Sequence, residues 1–199
     1  MSGPHAIVVG AARPFGVEIV AAMRAQGYGI AAFDDPSHVN AAALPAADSD
    51  VLVINAPVAD LQVAFEDITD AAFESALCDH LYDVVAIAQR LLPRIRRGGR
   101  IVTVGSRGHL GAWGGAHVMA ASAAMAGMTR SMALELAADA ISVNHVAAGF
   151  TGSSWDTPDS RRHVANTVCH LAAPDTGLVG ETLIVDGGRS LRMSESRHR

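Results

Sequence analysis

One serine, three histidines and a glycine-containing turn carry most of the chemical possibilities in this chain. Ser106 closes the apolar run that starts at Arg100, and His109 and His117 follow within eleven residues. An imidazole titrates near neutral pH, and a hydroxyl within its reach is the simplest acid/base or nucleophile pair. His80, on an earlier helical stretch, could complete a set of Ser106, His117 and His80. With nine histidines in the chain, however, chance proximity is common, and no acidic residue is evidently placed to orient His117. The second centre is Val8-Val9-Gly10-Ala11-Ala12-Arg13-Pro14-Phe15-Gly16, a turn joining a strand to a helix. Such a turn can set main-chain N–H groups and a helix N-terminus against a pyrophosphate. Asp34 lies eighteen residues beyond Gly16 at the end of the next strand, where a carboxylate can accept hydrogen bonds from a ribose. Taken alone, the same residues also read as an ordinary strand–turn–helix with a turn-forming aspartate.

Composition removes several classes of chemistry. The 199 residues include 15 arginines and no lysine, so no lysine Schiff base, general base or phosphate anchor is available. An arginine-only cation set also fits a GC-rich genome. A net charge of −5 gives no electrostatic reason to expect nucleic acid or an anionic membrane as partner. Cys78 and Cys169 have no second ligand at metal spacing; two reduced, buried thiols in a cytoplasm are expected, with no metal site and no disulfide. The start Met-Ser-Gly-Pro-His lacks the charged and apolar regions of a signal peptide. The uncharged stretch from Gly108 to Thr129 mimics a membrane span, but its five glycines and two histidines favour a loop followed by a buried interface helix.

The elements that must position these residues alternate along the chain. Strands are expected at His5–Val9, Tyr28–Phe33, Val51–Ile54, Arg100–Val104, Ile141–Val146 and Thr182–Val185. Helices are expected at Pro14–Gln26, Asp70–Arg97, Ala116–Ala138 and Asp159–Ala173. Short apolar strands separated by helices imply an α/β, Rossmann-like, doubly wound parallel sheet of about six strands. One domain over residues 1–188 is expected, followed by a polar tail over 189–199 that frays at its end.

Taken together, the chain resembles the short-chain dehydrogenase/reductase family. The resemblance rests on blocks in the family's order: the glycine turn, Asp50–Pro57, Gly99–Ser106, Gly127–Leu136, Ile141–Phe150 and Gly180–Gly188. It implies an NAD(P)-dependent oxidoreductase fold with Gly10, Arg13, Gly16, Asp34 and Asn55 at the cofactor positions. The chain is shorter than the family's usual members. Only twenty residues separate Asp34 from Asn55, so one edge strand is expected to be lost. The expected order of the six strands is second, first, third, fourth, fifth, sixth. About a dozen residues between Gly149 and Arg161 are too few for the family's helical substrate lid.

The resemblance also implies a tyrosine four residues before a lysine, a serine that orients the substrate oxygen, and an asparagine on the preceding helix. Ser106 occupies the serine position and reads as a remnant, since serine at a strand end is also a good turn residue. Counted from Ser106, the tyrosine and lysine positions hold Met119 and Ala123; anchored on Gly127, they hold Val118 and Ser122. His80 stands at the asparagine position. Pro14 replaces the middle glycine of the turn and has no N–H for a phosphate, and Pro57 replaces a glycine beside the cofactor. No cofactor is therefore expected, with NAD possible but weakened by Pro14 and Pro57. Arg13 and Asp34 give opposite hints about a 2′-phosphate.

The best-kept parts are the helices through which this family forms oligomers. Helix 79–97 carries Leu81, Val84, Val85, Ala88, Leu91 and Leu92 as a broad apolar stripe, with Tyr82 about 200° around the helix from His80 and read as packing. Helix 116–138 is rich in Ala, Met and Gly. The expected function is a non-catalytic subunit that assembles with an active paralogue or with itself through these helices and the 182–188 strand region. The alternative is an atypical oxidoreductase, or a cofactor-independent lyase or isomerase, using Ser106 with His117 or His80.

Overall fold

In the computed structural model, residues 3–34, 48–57, 63–149 and 155–192 are described below. Six parallel strands form one sheet: β1 His5–Val9, β2 Gly29–Phe33, β3 Ser49–Asn55, β4 Ile95–Ser106, β5 Ser142–Ala148 and β6 Thr182–Val185. Their order is β2-β1-β3-β4-β5-β6, as the family resemblance implies. The order reverses between β1 and β3, and in open α/β sheets the crevice beyond the carboxyl ends at this point is where ligands bind.

Alternation along the strands sorts the core into two layers, because successive side chains leave opposite faces. Val8, Val51, Val53, Val102 and Val146 point to one face. There they pack with Phe15, Ile19 and Met23 around α1 (Gly16–Ala25) and with Val164 and Val168 of α5 (Pro158–Ala172). Ile7, Val9, Leu52, Ile54, Ile101 and Val143 point to the other. There they meet Val84, Ile87 and Leu91 of α3 (Asp83–Leu91) and Met125 of α4 (Ala116–Glu135). Burial on both faces explains why the strands read as continuous Val/Ile/Leu runs. α5 starts sharply because Thr157 and Ser160 form a capping box with Pro158 in the first turn.

Several expectations need correction. The segment Asp70–Arg97 is not one helix. It consists of α2 (Asp70–Leu77), a π-turn (Cys78–Tyr82), α3, a 3-10 turn (Leu92–Arg94) and the start of β4. Pro93 stands at the last helical turn, and Ile95 pairs with Ser49 before a bulge brings Arg100 against Val51. α4 likewise ends at Glu135 and passes into a 3-10 turn over Leu136–Asp139. Cys169 is buried, but Cys78 is exposed. Tyr82 is 65% exposed whereas His80 is 8% exposed, so the two do face opposite ways, but Tyr82 does not pack within the chain. The expected lost edge strand and lid fall largely on 35–47 and 150–154, and the expected fraying on 193–199; these lie outside the described residues. Among the described residues no helix is long and apolar enough to cross a membrane.

Candidate functional site

The glycine turn lies at the crevice between β1 and β3. Gly10 has φ +78°, and a Cβ there would run into the Asn55 carbonyl oxygen. A Cβ at Gly16 would overlap the carbonyl oxygens of Gly10 and Ala11. Both glycines are thus required by the fold itself, one for the tight turn and one for close helix–strand approach. The Gly10 and Ala11 N–H groups donate to Phe33 O, Arg13 N–H to Gly10 O, and Gly16 N–H to Arg13 O. Pro14 has no N–H, so Ala12 and Phe15 are the main-chain donors of this turn left for a ligand. Asn55 Nδ2 donates to Gly10 O at 3.0 Å, and Arg13 Nη1 donates to Asn55 O at 2.6 Å, bridging the two strand ends. Asp34 is exposed directly beyond β2. The structure therefore brings Gly10, Arg13, Gly16, Asp34 and Asn55 to one crevice. The glycine that would let a pyrophosphate approach is absent.

The two registers that the resemblance allows on α4 differ in burial. Val118 is 2% and Ser122 7% exposed, and both face the sheet; Met119 is half-buried and Ala123 is exposed. Ser122 Oγ lies 2.8 Å from Ser106 Oγ, which also accepts the Gly108 N–H at 3.2 Å. Ser106, Ser122, His80, His145 and Pro57 line a cavity of about 10 Å³, room for one water molecule. No phenol or ammonium stands there.

The histidines gather around this point without bonding to Ser106. His80, carried inward by the π-turn, donates Nδ1–H to the Pro57 carbonyl at 2.8 Å; a carbonyl only accepts, which fixes the tautomer. Burial lowers its pKa, partly offset by the Pro57 bond, and His117 is near enough for its charge to be felt. His117 is buried in the first turn of α4 and makes no hydrogen bond to Ser106. His109 follows Ser106 in a 3-10 turn, and burial lowers its pKa as well.

The pattern of candidate residues does not reveal His145, a fourth histidine in the middle of β5. It pairs across the sheet with Thr103, whose Oγ1 lies 2.8 Å from its Nδ1. Burial pushes its pKa down to about 4, so the ring is neutral. A histidine flanked by Val143, Asn144 and Val146 inside a buried strand is the sequence signal that points to it. Nor does the pattern reveal Arg107, which forms a buried ion pair with Asp186 just beyond β6, Nε to Oδ2 3.3 Å. Burial opposes charge on Asp186, but hydrogen bonds from the Ser190 side chain and N–H and from Gly188 N–H, together with the positive charge of Arg107, outweigh it and hold its pKa low. The pair ties the ends of β4 and β6 together across the end of β5. Beside it, Trp155 packs edge-on against Phe15 at 6.2 Å between ring centroids. Among the described residues no group of three His, Cys, Asp or Glu could hold a metal ion.

A different surface is open. Asp70, Phe73, Glu74, Leu77, Cys78 and Tyr82 line a groove of about 560 Å³ on the outer side of α2 and the π-turn. On α4, Ala116, Ala120, Ala123 and Gly127 are exposed along one side.

A family model described as enoyl-(acyl carrier protein) reductase matches residues 37–158, more than half of the chain. The chain belongs to the short-chain dehydrogenase/reductase family. Two relatives from Thauera aromatica are named as subunits of (2S)-[(R)-hydroxy(phenyl)methyl]succinyl-CoA dehydrogenase. Subunit BbsD is 38% identical over 112 residues, 47% of this chain and 45% of BbsD. Subunit BbsC is 32% identical over 166 residues, 74% of this chain and 66% of BbsC. The chain thus spans between about half and two thirds of these relatives' length. Among solved structures, a short-chain dehydrogenase/reductase from Serratia marcescens superposes with a TM-score of 0.80 at 25% identity, covering 95% of this chain and 98% of that one.

Proposed function

We propose that this chain is a non-catalytic short-chain dehydrogenase/reductase subunit that assembles with an active paralogue or with a second copy of itself. The observation that carries the reading is the inward face of α4. Neither Val118 with Ser122 nor Met119 with Ala123 supplies a phenol or an amine, and the space beside Ser106 and Ser122 is about 10 Å³. Pro14 does not fit a tightly held pyrophosphate, and Pro57 crowds the neighbouring wall, so NAD is a weak ligand or none. What is retained of the glycine motif is what the fold needs.

The open faces suit assembly. The groove beside Phe73 and Tyr82 and the small-residue side of α4 allow another helix pair to approach closely, and the outer edge of the sheet offers Ile184 on β6, 44% exposed. The names of BbsC and BbsD, two subunits of one dehydrogenase, supply a precedent for pairing two chains of this family. The same reading puts the protein in the cytoplasm, where the exposed Cys78 stays reduced.

Co-expression with the active short-chain dehydrogenases of the same genome, followed by native mass spectrometry, tests the assembly. A stable complex with such a paralogue, or a dimer of this chain, is the expected result; a monomer alone under all these conditions contradicts it. One observation favours the alternative enzyme: His80 and Ser106 line one cavity. A cofactor-independent lyase or isomerase, or an atypical oxidoreductase, built on Ser106 with His80 or His117 requires that His80→Ala or His117→Ala abolish a measured turnover.

A further inference from the structure

The strand position of His145 has a consequence that does not depend on how the chain assembles. Its Nδ1 faces Thr103, while its Nε2 is fully buried, has no protein hydrogen-bond partner and belongs to a ring that lines the small cavity. A neutral imidazole nitrogen left unpaired in the interior is unfavourable. The other wall carries Ser106 and Ser122. Two hydroxyl protons serve a single bond between these oxygens, and Ser106 Oγ also accepts from Gly108. Whichever serine donates within the pair, the other keeps an O–H with no protein acceptor. One small space therefore holds an orphan imidazole nitrogen, an orphan hydroxyl proton and room for one small molecule.

We propose that this cavity is a binding site for a single structural water molecule, held by His145 Nε2 and by the Ser106–Ser122 hydroxyl pair. The water accepts the spare hydroxyl proton and, with Thr103 fixing the ring, takes the remaining bond at Nε2. Its volume excludes any organic ligand. The network turns the Ser106 hydroxyl towards α4 and keeps it there, so that a serine at the family's substrate-orienting position serves the interior. Met125 and Ala56 complete the lining.

The test uses the whole chain. A crystal structure that orders internal water is expected to show an isolated density peak within hydrogen-bond distance of His145 Nε2 and of one serine Oγ. In solution, a persistent cross-peak between water and the Gly105 or Ser106 amide is expected. His145→Leu removes the nitrogen and is expected to abolish both signals; Ser122→Ala, which deletes one oxygen, serves where His145→Leu does not fold. An empty cavity in the wild-type crystal, or a water signal unchanged in both variants, overturns the proposal. The readout is independent of dinucleotide binding and of oligomeric state, so its failure and that of the subunit reading are distinguishable.

Discussion

Ser106 Oγ and Ser122 Oγ lie 2.8 Å apart, one at the carboxyl end of β4 and the other on the inward face of α4. In the register anchored on Gly127, the family resemblance implies a substrate-orienting hydroxyl and an ammonium at those two positions. Here they bond to one another, and the cavity beside them is closed to about the size of a water molecule.

That closure can be tested by restoring the lysine. Ser122→Lys places a long, charged side chain where about 10 Å³ is free, so overpacking and charge burial both oppose it. Urea unfolding is expected to show a loss of about 3 kcal/mol or more. An unchanged midpoint would mean that the lysine pocket is still open.

The buried histidines make stability depend on acid. The folded pKa of His145 is about 4, below the roughly 6.5 of an unfolded histidine, and those of His80 and His109 are also lowered. Below pH ~6.5 the unfolded chain takes up protons that the folded chain refuses, so stability falls as the pH drops. The loss from His145 sets in below ~6.5, levels off below about 4 and amounts to about 3 kcal/mol. Denaturation midpoints followed from pH 7 to 4 are expected to fall less steeply in His145→Leu than in wild type; parallel curves would contradict the assignment.

The sheet was legible because each strand contains an apolar run, and β1 and β6 occur where the alternation places them. The Asp70–Arg97 segment was less so. A π-turn leaves no mark in the hydrophobic period, and the first residues of β4 are arginines and glycines that pair only because Ser49 lies alongside Ile95. For the site, residue counting left two registers for α4, Met119 with Ala123 or Val118 with Ser122, which differ in burial but share the lack of a phenol and an amine. The His145–Thr103 pair and the Arg107–Asp186 bridge join residues 42 and 79 positions apart, contacts that only sheet register and strand-end geometry bring about.

The Arg107–Asp186 bridge is the next test. Removing one partner of a buried ion pair leaves an uncompensated charge, at a cost of about 3–5 kcal/mol. Arg107→Ala is expected to lower stability by that order, and adding Asp186→Asn is expected to recover part of the loss. Additive losses in the double variant would show that the two side chains do not act as a pair.

Assembly is separable from folding at Gly127. A Cβ there meets nothing within 4 Å, so a larger residue is accommodated by the chain itself and improves helix propensity by up to about 1 kcal/mol. Gly127→Glu is expected to keep the unfolding midpoint at or above the wild-type value while lowering the mass observed in sedimentation velocity. Unchanged assembly would remove this face of α4 from the interface.

The most direct measurement for the central claim is calorimetric titration of NADH and NADPH into the purified chain. The expected result is no saturable heat up to about 1 mM dinucleotide, an affinity weaker than about −4 kcal/mol. One site per chain saturating in the micromolar range would contradict a subunit that has given up its cofactor.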